Sequence, residues 1–424
     1  MQLKTMSFPR RKAPNVALVK QYLPTEHVPN VRSETAQRLL AAGLAKKVKP
    51  GQRIAITAGS RGIGGFVDLL CGIVDAVNEC GGKPFIVPAM GSHGGAVAEG
   101  QVEILRRLGV TEETIGAPIH AGMETHSLGA ADNGAVAHLD QVAAKSDGII
   151  VLGRTKTHPE SIGELASGLL KMVTIGMGKQ AGAQQAHNHG LWESVRAVPQ
   201  VVLAQAKILF GVAVVENGYR EPVVIEVVPP TYDAFLEADL RLLKVAKSHL
   251  AMLPFQQLDV LVLDEIGKNI SGAGMDPNVV GRWRTSDNRP HTPDFRRLVA
   301  LSITPPSLGN GIGIGLSDFT TQRAADTYDP NVTYVNILTA TEPGGNTREG
   351  PVPLTLPSDR DAIEVALYSS LAGEKPRLCR IRNTGALDEF WVSEGLLDEV
   401  NQNPKLTVTE PPAPMQFDSA GNLF

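Results

Sequence analysis

Arg53-Ile-Ala-Ile-Thr57, then Ala58-Gly-Ser60-Arg61-Gly-Ile-Gly-Gly65, then Phe66-Val-Asp-Leu-Leu-Cys-Gly-Ile-Val-Asp-Ala-Val-Asn-Glu79, is the stretch from which the fold is read. The first five residues form a short apolar run, the pattern of a buried strand. Glycines then permit a sharp reversal, and the following segment carries apolar residues at helical spacing. Strand, glycine turn and helix in that order make one βα step. Pro84-Phe-Ile-Val-Pro88 starts another, ending in Gly91-Ser-His93-Gly-Gly95 and leading to a helix expected at 100–108. Strands at 148–152 and 208–215 continue the series. A second series follows Pro254, with Leu258-Asp-Val-Leu-Val-Leu-Asp264 and further strands expected at 298–304 and 333–338. A helix over 235–250 leads from one series to the other.

Such alternation predicts an α/β protein with two Rossmann-like domains, residues 1–250 and 251–424. Ligands in open α/β sheets lie beyond the carboxyl ends of the strands. Strand-end loops carrying Arg61, His93, His158 and Lys268 are therefore expected to converge on an active site in the cleft between the domains. The tail beyond Pro404, with Pro411, Pro412 and Pro414, reads as an extended cover.

A chain of 424 residues, 42% hydrophobic and 20% charged, has the composition of a soluble globular protein. A net charge of −4 argues against a nucleic-acid-binding surface. The basic run from Lys4 to Lys12 has no apolar segment after the manner of a signal peptide, and no apolar stretch reaches the ~20 residues needed to span a bilayer. The three cysteines, Cys71, Cys80 and Cys379, show no CxxC spacing, so neither a disulfide framework nor a zinc knuckle is expected. The expected location is the cytoplasm, with no membrane partner.

Two motifs fail on inspection. Thr57-Ala-Gly-Ser-Arg-Gly-Ile-Gly64 approaches the turn of short-chain dehydrogenases, which cradles phosphate on backbone N–H groups. Its first Gly and neighbour are exchanged, and none of the six tyrosines has a lysine four residues on, so the catalytic Tyr/Lys pair is missing. Gly176-Met-Gly-Lys179-Gln180 has Val173 where a P-loop needs its first Gly, and Gln180 where it needs a hydroxyl.

What remains is a run rich in imidazole and amine: Arg154-Thr-Lys-Thr-His158-Pro, Ser167-Gly-Leu-Leu-Lys171, Gly176 and His187-Asn-His189. His93, between Ser92 and Gly94, either bonds its own turn or takes part in chemistry. The proline after His158 biases that residue away from helical geometry. Lys171 stands in an otherwise apolar stretch, either reaching for the surface or held inside for a purpose. Of His187 and His189, two apart, one is expected to face inward.

Positions from roughly 50 to 280 resemble the nickel-pincer lactate racemase superfamily, the 2-hydroxyacid racemases and epimerases. The motif order is carried by Ser60-Arg61, Gly91-Ser-His93, Lys156-Thr-His158, Ser167-Gly-Leu-Leu-Lys171 and Ala186-His187-Asn188, with a weaker match at Ile266-Gly-Lys268-Asn-Ile-Ser271. The Lys171-to-His187 interval and Gly176 agree with the family pattern. The interval from His158 to Lys171 is longer, and Gly-Leu-Leu-Lys replaces Gly-Gly-Arg-Lys, the marks of a divergent branch. The resemblance implies a nickel-pincer nucleotide, a pyridinium mononucleotide with sulfur-bearing arms, attached to Lys171 as a thioamide and supplied by separate maturation enzymes. Its Ni(II) would be completed by His187, and Ser60 and Arg61 would help bind it. Transient hydride removal from C2 of a 2-hydroxy acid would invert that carbon. His93 and His158 would serve as bases on opposite faces, while Arg61 and Lys268 hold carboxylate and carbonyl. Polar loops at 267–274, 310–315 and 317–323 favour a sugar acid such as gluconate, with malate as rival. A pyridine-nucleotide oxidoreductase using the 59–65 turn, and a catalytically inactive ligand-binding homologue, stand as alternatives. The oligomeric state is left open.

Overall fold

A computed structural model describes residues 8–158, 164–283, 293–340 and 347–423. Pro159, used above to argue the geometry of His158, lies outside the described residues. The chain divides into two compact units, Pro24–Leu250 and a second formed by residues up to Leu23 with Ala251–Phe424. The expected domain 1–250 is thus corrected at its start. Strand β1 (Asn15–Gln21) joins the second unit, where Ala17 and Val19 are fully buried and its backbone is paired on both edges.

In the unit Pro24–Leu250 the strands are β2 (Arg53–Ala58), β3 (Lys83–Pro88), β4 (Thr125–Ala130), β5 (Val136–Asp140), β6 (Gly148–Arg154), β7 (Ile208–Glu216) and β8 (Pro222–Val228). Five of them form a sheet in the order β3-β2-β6-β7-β8, with β4 and β5 paired as a separate hairpin. β3, β2, β6 and β7 run parallel, and β8 is antiparallel to β7. The sheet is apolar on both faces because alternate residues point to opposite sides. Ile54 and Ile56 pack with Leu69, Leu70 and Ile73 of the helix Phe66–Glu79. Ala55, Val87 and Val151 pack with residues of the helices Leu191–Gln205 and Tyr232–His249. Each such fully buried Ile or Leu contributes about 1.5–3 kcal/mol.

The second unit continues with β9 (Gln257–Leu263), β10 (Asp294–Ala300), β11 (Phe319–Thr321), β12 (Leu354–Leu356), β13 (Leu378–Asn383), β14 (Ala386–Ser393) and β15 (Leu406–Pro414). Its eight-stranded sheet has the order β12-β11-β10-β9-β13-β14-β1-β15. The five strands from β12 to β13 are parallel; β14, β1 and β15 then follow with each neighbouring pair antiparallel, so β1 runs with the five and β14 and β15 run against them. The proline-rich tail is β15 itself.

One expected strand is a helix. Residues 333–338 lie within the helix Pro330–Ala340 despite their β-branched content. The reason is at its start: Asp329 Oδ1 accepts from the backbone of Asn331 (2.8 Å) and Val332 (3.4 Å), and Pro330 is preset for a first helical turn. No helix among the described residues is long and apolar enough to cross a membrane.

Candidate functional site

Because β3, β2 and β6 are parallel neighbours, the loops after them leave the same edge of the sheet. The loop after β2 carries Ser60 and Arg61, that after β3 carries His93, and that after β6 carries Lys156 and His158. Ser60 Oγ and His93 Nδ1 are hydrogen-bonded, joining the first two loops. Glu216, at the end of β7, anchors the glycine turn: it accepts from the Gly64 backbone N–H and pairs with Arg154 (Oε2 to Nη1, 2.6 Å). Protein atoms crowd the Arg61 guanidinium while leaving it accessible to solvent. Desolvation first, and the charge of Arg154 second, pull its pKa down to about 10.

Lys156 is bridged to Ser167 by two backbone hydrogen bonds of 3.1 and 3.2 Å, so the β6 loop is tied to the segment that bears Lys171. Lys171 ends the short helix Leu169–Lys171 and is followed at once by a π-turn, Met172–Gly176. Such wide turns recur at functional sites. Two glycines make the segment possible. A Cβ on Gly168 would lie 2.2 Å from Asp239 Oδ1, and one on Gly176 would lie 2.9 Å from the Ala89 carbonyl oxygen at the end of β3. Asp239, almost fully buried, accepts from the backbone N–H groups of Leu169 and Leu170, both at 2.9 Å. Burial pushes its pKa up to about 6, against the opposing effect of those two donors.

His158 sits in the middle of the cation-rich loops. Burial first, then the charges of Lys171, Lys156, Arg61 and His187, hold its imidazole well below the usual histidine range. Charges act on His158 only from nearby, so Lys171, Arg61 and His187 share one electrostatic neighbourhood with it. His187 is half-buried in the last turn of the helix Lys179–Asn188. His189 is exposed at its end, with Nδ1 against the Gln185 carbonyl at 3.0 Å. The unit Pro24–Leu250 thus brings Ser60, Arg61, His93 and His158 onto loops served by one sheet edge, with Lys171 and His187 on helix ends within the electrostatic reach of His158. Lys268 belongs to the other unit, in the loop after β9. There its Nζ donates to the Gly272 carbonyl (2.9 Å) and to Asn336 Oδ1, while its backbone N–H donates to Ser307 Oγ (2.8 Å).

Sequence reasoning missed the supports. Lys179, in the sequence no more than the lysine of an incomplete P-loop pattern, is fully buried in left-handed backbone (φ 53°). It pairs with Asp140 at 3.0 Å and donates to Gln101 Oε1 (3.1 Å) and to the Pro88 carbonyl. Gln101 in turn donates from Nε2 to the carbonyls of Gly91 (3.0 Å) and His93 (3.2 Å), holding the His93 loop from beneath. Desolvation lowers the Lys179 pKa, and Asp140 opposes this. A legible signal existed for Asp239: it falls on the stripe Phe235, Ala238, Leu242, Leu243 and Ala246 that the helix buries. A carboxylate on an apolar stripe needs a partner.

Among the described residues no three or more His, Cys, Asp or Glu side chains gather as a metal cage. The chain matches no family model and no curated protein. A crystal structure of a structural-genomics protein from Thermotoga maritima is similar in fold, with a TM-score of 0.54 at 12% identity over 86% of this chain and 99% of that one. The apoprotein structure of lactate racemase from Thermoanaerobacterium thermosaccharolyticum gives a TM-score of 0.45 at 11% identity, over 86% and 88% of the two chains.

Proposed function

We propose that the chain is a 2-hydroxyacid racemase or epimerase that works with a nickel-pincer nucleotide attached to Lys171. What supports this reading most is that His158, Lys171, Arg61 and His187 stand near enough for their charges to act on the one imidazole. These residues fit the group. Lys171 offers an amine at the junction of a helical turn and a π-turn, and His187 offers an imidazole in the same neighbourhood. The nucleotide would bring its own sulfur and carbon donors, so one protein imidazole suffices for a site of this kind. When bound, the group supplies a place for the C2 hydride of a 2-hydroxy acid.

The chain's own residues do the rest. His158, kept neutral by burial and by surrounding cations, is ready at neutral pH to take the proton of the substrate hydroxyl. His93, oriented through Nδ1 by Ser60 and through its loop by Gln101, is the base proposed for the opposite enantiomer. Arg61 binds the substrate carboxylate, a task that suits the planar, two-pronged guanidinium of an exposed arginine on a strand-end loop. The substrate is drawn from the hydroxylated or dicarboxylic 2-hydroxy acids, gluconate-like or malate-like.

The test is production of the protein together with nickel-pincer maturation enzymes, followed by peptide mass spectrometry. The peptide containing Lys171 is expected to gain the cofactor's mass, and Lys171→Arg to lose that gain. An unmodified Lys171 under those conditions sinks the reading. The loaded protein is then screened for inversion at C2 across a panel of 2-hydroxy acids.

A further inference from the structure

Trp192, at the start of the helix Leu191–Gln205, has no part in the function proposed above. Its half-buried indole packs against the apolar core of its unit. The ammonium of Lys171 lies over that ring, 5.6 Å from the centroid. The imidazole of His158 meets the same ring in a T-shaped arrangement, with centroids 5.1 Å apart and planes at 77°. An indole face attracts a cation, and an edge-to-face arrangement is a favoured contact between aromatic rings. His158 lies in the loop after β6 and Lys171 ends the short helix further along the same connection, and the lysine stem has four rotatable carbons. Their common reference plane is a ring held by its own helix, whose neighbours Leu191 and Val195 are buried. Ser194 on the same helix is pinned by Asn133 Nδ2 at 2.8 Å.

We propose that Trp192 is a positioning residue of this site, an aromatic wall that sets the Lys171 amine and the His158 ring relative to each other. The proposal rests on the function above only in naming Lys171 and His158 as working groups, and its test needs no cofactor. Lys171 is acetylated with limiting acetic anhydride across a range of pH, and its peptide is quantified by mass spectrometry. A ring that stabilises the ammonium withholds the free amine. In Trp192→Leu the acetylation of Lys171 is expected to become about threefold faster at any pH where the ammonium dominates. Trp192→Phe, which keeps a π face, is expected to stay close to the parent. A ring that only fills space predicts three superimposable profiles, and that result overturns the proposal, as does Phe behaving like Leu.

A second measurement stands even if Trp192→Leu does not fold. The chain has three tryptophans, so a Trp283→Phe, Trp391→Phe background isolates Trp192 emission. Lys171→Met in that background is expected to shift the emission, and His158 protonation at acid pH to quench it. An unchanged spectrum in both cases refutes the wall. Because all these readouts come from protein without cofactor, they are independent of whether Lys171 ever gains the cofactor's mass.

Discussion

Asp239 offers the most direct test of how the Lys171 segment is held. Its carboxylate is buried, and its only described partners are the two backbone N–H groups that begin the helix Leu169–Lys171. A folded-state pKa of about 6, against the ordinary 3.8, means that the native protein keeps a proton here which the unfolded chain has already released. Between those two values the folded state binds more protons, so stability falls as pH rises. The contribution is fully present below the unfolded value and is lost once pH passes about 6. The gap corresponds to about 3 kcal/mol. Asp239→Asn keeps the shape but cannot ionise, so the stability of the parent relative to this variant should drop by about 2.5 kcal/mol from about pH 4 to about pH 8. Urea unfolding followed through Trp192, in a Trp283→Phe, Trp391→Phe background, reports the unit that contains Asp239. A parent-minus-variant difference that stays flat across this range, or rises with pH, refutes the reasoning.

Gly168→Ala should be destabilising by about 1–3 kcal/mol, because the new methyl would sit 2.2 Å from Asp239 Oδ1, and the loss should be partly relieved in the Asp239→Ala background. Urea midpoints of the two single variants and the double variant check this. Lys179→Met should cost about 3–5 kcal/mol, since it leaves Asp140 buried without its cation, whereas Lys179→Met with Asp140→Asn should recover much of the loss. The same thermal or urea series decides it, and an innocuous single variant would contradict a structural role for the pair.

The α/β alternation was legible because strands buried on both faces read as continuous apolar runs. β2, β3, β6, β7 and β9 all lie close to where those runs place them. The strand-end positions of Ser60, Arg61, His93 and His158 followed from the same pattern. The helix Pro330–Ala340 was not legible, because β-branched content outweighed a cap whose effect depends on one aspartate side chain. Membership of β1 in the second unit was hidden for a different reason. Local pattern shows that Val16, Ala17 and Val19 want burial, but it says nothing about which distant strand supplies the partner. The polar supports of the site were the least visible part. Gln101, Lys179 and Asp140 lie on three separate elements, and only folding reveals that they share one hydrogen-bonded network.

The placement of β1 also sets a timetable for synthesis. β1 is sandwiched between β14 and β15, so both of its edges stay unpaired while the whole of Pro24–Leu250 and most of the second unit are being made. The unit Pro24–Leu250 is contiguous, so it can collapse on the ribosome as soon as it emerges, whereas the eight-stranded sheet cannot close until its last strand is released. During that interval an apolar strand with open edges hangs from an already folded body. The nascent chain is therefore the species expected to be most exposed to aggregation, and refolding is expected to be slowed by the docking of one short strand across a long sequence gap.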